Sequence, residues 1–484
     1  MVRAATILGA VLLAAAPAAG AGPEAFDLVL ANGRVMDPES ALDAVRHVGI
    51  RNGKIAAVSA EPLAGDEVLD VTGLVVAPGF IDLHAHGQDP VTFGILARDG
   101  VTTALEMEGG VLPVAEWYEE RAGKRRLNYG AAVSHPGARF EVLEEDAELD
   151  NGLGSSDAWS HQPASAEEIE QIAAVVDQGL AEGAIGIGFG IQYTPAATRD
   201  EIWRVYKVGE KHGVTGFAHV RFAAMAEPGS SVESVQEMIA IAATGPSVHI
   251  CHLPSTGLGK VPILLEMIDA AQERGIDVTT EAYPYVASSS FIGAAILDPG
   301  WRERLGRDYG DIGWAATGER LTEKTFHRYR EEQPNGTIIA YVMEEENVVK
   351  AMAHPTVMIA ADGGDLSSGK GHPRSAGSHA RVLGVYVRDK GVMSLMDAIA
   401  KMTLLPAQRM ETAVPGMRDR GRIRVGAHAD ITIFDPERVI DRATFESPAE
   451  MSEGIPHMLV GGTFVVRDSE LVEGATPGQP IRRE

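Results

Sequence analysis

The sequence predicts an α/β protein: a closed (β/α)8, TIM-like barrel carrying a small β-sandwich built from both ends of the chain. Between residues 79 and 415, eight apolar runs of strand length recur, most of them separated by segments with helical spacing. Strands alternating with helices build a parallel sheet, and eight such units close one into a barrel. Outside that span, residues 22–78 and 416–484 hold short apolar stretches joined by tight turns. A third observation puts a site on the fold: the first run ends in His84-Ala85-His86.

The chain has 484 residues, of which 45% are hydrophobic, ample for a large globular core. Its formal net charge of −26 argues against nucleic acid and anionic membrane surfaces as partners. Residues 1–21 read as a signal peptide: Arg3, an apolar run from Ala4 to Ala16, Pro17, then the small-residue pattern Ala19-Gly20-Ala21. The run is too short to span a bilayer comfortably. The expectation is an exported, periplasmic or secreted protein with no membrane insertion after cleavage. Cys251 is the single cysteine, so no internal disulfide forms.

In chain order, Phe26–Leu30, Val45–Ile50 and Lys54–Val58 read as strands, with Asn32-Gly33 and Asn52-Gly53 as hairpin turns. The barrel runs are Phe80–His86, Thr102–Glu108, Tyr129–His135, Ala184–Gly190, Val214–His219, Ser247–His252, Asp277–Tyr283 and Thr356–Asp362. Helical segments are Val114–Arg126, Ser165–Glu182, Arg199–Lys211, Ser231–Ala243 and Val261–Arg274. Ser165 and Glu168 have capping-box spacing. No sequence repeat of fixed period accompanies the alternation. Residues 298–335 interrupt it with a charged insertion bearing Trp301, Tyr309, Trp314 and Tyr329, expected as a lid over the site. The strand style returns in Ala429–Phe434 and His457–Val460, then Gly461-Gly462 turns into Thr463–Val466.

A barrel's active site lies at the C-terminal ends of its strands, and most of these runs end on a polar residue. His84 and His86, two apart on a strand, share a face and can aim at one metal ion. The second run ends Glu106-Met107-Glu108; a carboxylate there can bridge two divalent ions, and Glu108 is nearer the end. The fifth ends His219-Val220-Arg221. In the sixth, His252 shares a face with Ile250, leaving His249 and Cys251 on the other; His252 is the site residue and His249 the core histidine. The eighth ends in Asp362, able to hold a metal and accept a proton from a water the ion acidifies, or to cap a turn before Gly363-Gly364. His135 either lines the site or sits in the core.

These residues together resemble the amidohydrolase superfamily, and within it the N-acyl-D-amino-acid deacylase group. The matching motifs are Pro78-Gly79-Phe80-Ile81-Asp82-Leu83-His84-Ala85-His86, Gly100-Val101-Thr102-Thr103, Ala218-His219-Val220-Arg221 and Ile250-Cys251-His252-Leu253. Tyr283-Pro284-Tyr285, Ile359-Ala360-Ala361-Asp362-Gly363 and His372-Pro373-Arg374 add to them, as does Gly426-Ala427-His428-Ala429-Asp430. The resemblance implies a zinc-dependent hydrolase of a non-peptide amide bond, with one or two ions per chain. It implies His84, His86 and Asp362 as ligands of one metal position, and His219 and His252 as ligands of a second, tighter one. Asp362 then corresponds to the general base and acid. Arg374 matches a position contacting the substrate carboxylate, a task that suits a guanidinium fork. Tyr193 and Tyr283 match substrate-side positions.

Two departures stand out. D-aminoacylases carry a cysteine ligand after the second strand, where this chain has Glu106-Met107-Glu108-Gly109-Gly110; Glu108 is the substitute. A hard carboxylate in place of a thiolate favours two more equal metal sites and tolerance of Mn²⁺ or Co²⁺. A lysine that helps bind the substrate carboxylate is replaced by Pro254, leaving that task to Arg374, Arg221 or Lys260. The leading expectation is deacylation of an N-acyl-D-amino acid. Cyclic-amide hydrolysis of the dihydroorotase or hydantoinase kind and dipeptide hydrolysis use the same site, because substrate choice lives in the loops. A non-catalytic binding protein on this fold would be expected to have lost ligands, and a metal store would show His-rich tracts; this sequence shows neither feature.

Overall fold

The computed structural model describes residues 25–144 and 158–483. The expected signal peptide lies outside the described residues. Eight parallel strands pair in chain order: Phe80–Asp82, Val101–Val111, Asn128–Ser134, Ile187–Gly190, Thr215–His219, Ser247–Ile250, Val278–Ala282 and Met358–Ile359. The seam between the eighth and first closes just past their ends: Gly363 N–H donates to the His84 carbonyl at 3.2 Å, and Gly87 N–H to the Gly363 carbonyl at 2.9 Å. Asp82 adds a stitch, its carboxylate accepting from the amides of His84 and Ala361. The barrel strands are buried on both faces, which is why they read as continuous apolar runs rather than alternating ones.

The outer helices form where amphipathic spacing predicts. Ala166–Ala181 turns Ile169, Ile172, Val176 and Leu180 inward, and Ser165 and Glu168 cap each other's backbone amides at its start. The third strand stops at Ser134, whose hydroxyl caps a helix over His135–Leu143. That change of backbone takes His135 out of the strand.

The terminal β-domain is one nine-stranded sheet folded over on itself. Its central strand, Val75–Pro78, pairs with the N-terminal strand Phe26–Asp37 on one side and the C-terminal strand Ile431–Phe434 on the other. Neither end can complete the sheet alone. The far hairpin returns to the C-terminal segment through Ile55 N–H to Ala427 O and Ala429 N–H to Gly53 O, both 2.9 Å. Leu28, Leu30, Val48, Ile50, Ile431 and Leu459 fill the space enclosed. Val75–Pro78 runs straight into the first barrel strand, so the sheet anchors the strand that delivers His84 and His86. The tail beyond Leu471 leaves this domain and lies along the start of the third barrel strand, with Ile481 N–H donating to Tyr129 O.

The insertion is larger than residues 298–335. It begins at Ser288–Phe291, which pairs antiparallel with Thr337–Ala340, and Ile312–Trp314 adds a third strand. Trp301 stacks on Phe326 and Trp314 on Tyr329, giving the insertion its own small core.

Behind one wall of the barrel mouth lies a buried ion network. Glu201 accepts from His135 Nε2 at 2.7 Å and from Arg139 at 2.5 Å, and Arg139 also donates to the carbonyls of Trp159 and Gln162. All three charged or polar side chains are fully buried. Burial works against the Glu201 carboxylate, but His135 and Arg139 outweigh it and hold its pKa below the usual value. Replacing Glu201 with Gln leaves the Arg139 charge buried and uncompensated, at a cost of about 3–5 kcal/mol. The expected result is that much loss of unfolding free energy in a denaturant titration, with metal content unchanged.

Candidate metal centre

Four imidazoles and two carboxylates converge at the open end of the barrel. His84 and His86 face each other with their Nε2 atoms 3.0 Å apart. His84 Nδ1 sits 2.5 Å from Glu281 Oε1, and His86 Nδ1 is 2.9 Å from Glu106 Oε2. A carboxylate accepts a hydrogen bond from each Nδ1–H, so both Nε2 atoms present lone pairs to the same point. The second pair repeats this. His252 Nε2 lies 3.0 Å from His219 Nδ1. The other nitrogen of His219 meets Gln192 Oε1 at 2.8 Å, and that of His252 meets Ser255 Oγ at 2.9 Å. Two lone pairs 3 Å apart repel unless a cation lies between them.

Glu108 joins the two pairs. Its Oε1 is 2.6 Å from His252 Nε2 and 3.3 Å from His219 Nδ1, while Oε2 is 3.2 Å from His84 Nε2 and 3.6 Å from His86 Nε2. Asp362 Oδ1 completes the first group at 3.4 Å from His84 and 3.6 Å from His86. Two donor sets result, His84/His86/Glu108/Asp362 and Glu108/His219/His252. Nitrogen and carboxylate donors of this kind suit Zn²⁺, Mn²⁺ or Co²⁺. The residues present therefore fit two divalent ions sharing Glu108.

Local backbone makes this possible. The second strand bulges after Glu106, which brings Glu106 and Glu108 to different histidines. Gly110, at φ +65°, lies where a Cβ would strike the Val133 carbonyl, and a Cβ on Gly188 would strike the Glu108 carbonyl at 2.4 Å. His252 (φ 34°) and Asp362 (φ 52°) both hold left-handed backbone. For residues other than glycine such strain costs about 1–3 kcal/mol and persists where surrounding structure enforces it.

The electrostatics ask for positive charge. Burial works against a charged His84, but Glu108, Asp362 and Glu281 outweigh it and push the ring's pKa well above its ordinary value. His86 is raised likewise, its burial outweighed chiefly by Glu106. Protons thus compete with an ion for these rings. Metal affinity is therefore expected to weaken as pH falls, by about tenfold per pH unit for each proton displaced. Equilibrium dialysis against Zn²⁺ between pH 8 and pH 5 checks this.

Glu281 escaped the sequence reading. Besides His84, it holds His249 Nε2 at 3.1 Å, and His249 Nδ1 meets Thr279 at 2.7 Å. The two histidines hold the Glu281 carboxyl down to about 2 against its burial. A carboxylate inside the seventh strand, Val278–Ala282, was the available signal. Glu281→Gln is expected to lower metal affinity by about 10–100-fold, read by competition with a chromophoric chelator.

The other expected site residues divide. Arg374 Nη2 donates to Asp362 at 2.8 Å, while its Nε and Nη1 find no partner among the described residues. The Arg374 guanidinium lies over the Tyr283 ring at 4.6 Å, so Tyr283 supports Arg374 from beneath. Tyr193 packs edge-on to His219 and its hydroxyl meets Ser290 at 3.0 Å, joining the barrel site to the insertion. Arg221 does not serve the site. Its guanidinium grips Glu237 with two bonds of 2.8 and 2.9 Å and donates to the Ala197 carbonyl at 2.7 Å, a commitment that leaves it no fork for a ligand.

The chain is similar to known proteins along nearly its whole length. An N-acyl-D-glutamate deacylase of Alcaligenes xylosoxydans xylosoxydans is 31% identical over 95% of this chain and 97% of its own length. The crystal structure of N-acyl-D-glutamate deacylase from Bordetella bronchiseptica, complexed with zinc and a phosphonate mimic of the tetrahedral intermediate, superposes with a TM-score of 0.79. It is 26% identical, covering 95% of this chain and 100% of that one. A D-aminoacylase structure used to study the role of its binuclear metal centre gives 0.80 at 28% identity, with 95% and 100% covered. The model of the Amidohydrolase family matches residues 67–466, and the chain belongs to that family.

Proposed function

We propose that this protein hydrolyses the amide bond of N-acyl-D-amino acids, with zinc held by His84, His86, Glu108, His219, His252 and Asp362. One observation carries the reading: Glu108 touches both histidine pairs, and Asp362, beside the first pair, is held by an arginine with unused donors. The names and bound zinc of the relatives support it. Divalent ions bound there supply Lewis acidity toward the acyl carbonyl and acidify a water.

The chain's residues do the rest. Burial opposes a charged Asp362, but Arg374 and His84 outweigh it and hold its carboxyl well below the usual carboxylate range. It stands ready as a base. Asp362 takes a proton from the attacking water and returns it to the departing amine nitrogen, so one water becomes the acid's hydroxyl and the amine's proton. Arg374, with donors left unpaired beside Asp362, meets the substrate carboxylate. Tyr193, at the boundary of barrel and insertion, donates its hydroxyl to the acyl carbonyl. Ser288–Phe291 of the insertion lines the cavity and keeps bulk water from the reacting bond.

The test is metal analysis of the purified protein, with hydrolysis of N-acetyl-D- and N-acetyl-L-amino acids followed by amine release. Turnover of the D-series that disappears on chelation and returns with Zn²⁺ supports the reading. Turnover of hydantoins or dipeptides with none on the N-acetyl panel overturns it. Export rests on Arg3, the Ala-rich run and Ala19-Gly20-Ala21; the full-length chain in a cytoplasmic fraction would speak against it.

A further inference from the structure

We propose that the substrate is an N-acyl-amino acid whose side chain is apolar and uncharged, and that acidic side chains are rejected. This rests on the deacylase reading and goes past it, since the relatives named above include enzymes of N-acyl-D-glutamate.

The argument is a charge inventory of the cavity. The cavity, ≈ 1030 Å³, has Arg374 as the sole lysine or arginine among its described lining residues. Arg374 already holds Asp362, and its remaining donors serve one carboxylate. An N-acyl-glutamate or -aspartate brings a second. Among the described residues no other lysine or arginine faces it, while Asp365 lies on the same surface.

Arginines do stand behind the walls, but each is held by other protein groups. Arg139 donates to the Trp159 carbonyl and Glu201. Arg304 donates to the carbonyls of Ile296 and Asp298, and Arg330 to the Ile292 carbonyl and Asp298. Arg221 is held by Glu237. The sequence from 145 to 157 contains five carboxylates and no lysine or arginine, so it has no cation to offer. The surfaces left for side chain and acyl group carry no cation: Leu112 and Trp159, and Phe291, Ile296 and Leu297 of the insertion, are apolar, and Ser288–Ser290, Asn335 and Thr337 beside them are neutral. A second carboxylate buried there loses its hydration and gains no lysine or arginine in return.

The experiment compares kcat/KM of the zinc-loaded wild-type protein on N-acetyl-D-leucine, -methionine and -phenylalanine with that on N-acetyl-D-glutamate and -aspartate. N-acetyl-D-glutamine serves as the uncharged isostere of the glutamate substrate. The expected preference for the apolar set is about 100-fold or more, the discrimination typical of a site that strands a buried polar group. Glutamine ahead of glutamate supports charge, rather than length, as the cause. Acidic substrates within tenfold of leucine, or better, overturn this inference and leave the deacylase intact. No turnover of any N-acyl-amino acid overturns the deacylase reading, and this one with it.

Discussion

Glu108→Ala is expected to reduce kcat/KM by about 10³-fold or more and to cut bound zinc to one ion per chain or fewer. The carboxylate belongs to both donor sets, so its removal takes a ligand from each position at once. Loss of several kcal/mol of charge stabilisation from one step corresponds to about three powers of ten in rate. Metal content by mass spectrometry reads the outcome independently of turnover. If Glu108→Ala keeps two zinc ions and near wild-type rates, the bridge is wrong and Glu106 must be reconsidered. Glu108→Cys separates the two positions chemically. A thiolate binds Zn²⁺ strongly and disfavours Mn²⁺, and it offers one donor atom where the carboxylate offers two. The Cys variant should therefore bind its two zinc ions with more widely split affinities than the wild type and lose activation by Mn²⁺.

The same residue shows what a sequence can and cannot reveal. Strand ends were legible because a barrel gathers the last polar residue of every strand into one place, and His84, His86, Glu108, His219, His252 and Asp362 meet there. His252 was correctly separated from His249, which bonds to Thr279 and Glu281 instead. Left-handed backbone past the strand end at Ile250, not strand alternation, places His252. Pairings across the fold were not legible. Glu281 acts on a histidine 197 residues away, and nothing near it in the chain points there. Arg221 looked free because Glu237 follows sixteen residues later, on a helix whose docking fixes the pair. The insertion's first strand, Ser288–Phe291, lacks the apolar alternation that marks a strand, so its edge was placed ten residues late. Tertiary contacts decide such cases, and local pattern carries little of that information.

Asp362→Asn gives the second large effect. The expected loss is about 10²–10⁴-fold in kcat, the contribution of a positioned general base and acid. Asparagine keeps the shape and one oxygen donor but has no lone pair basic enough to take a proton from water. The His219/His252/Glu108 set contains no atom of Asp362, so zinc at that position should survive, and metal content should fall by at most one ion per chain. A role limited to holding metal predicts something else: activity restored by excess Zn²⁺. The pH profile adds a third readout. Asp362 is held well below the usual carboxylate range by Arg374 and His84, so in the wild type it stays ionised through the mildly acidic range. The acid limb of activity should then follow metal loss as His84 and His86 take up protons. Saturating zinc should shift that limb to lower pH. Arg374→Lys removes the fork that holds Asp362 but keeps a positive charge. It should raise KM more than it lowers kcat, because the single ammonium cannot serve Asp362 and a substrate carboxylate together.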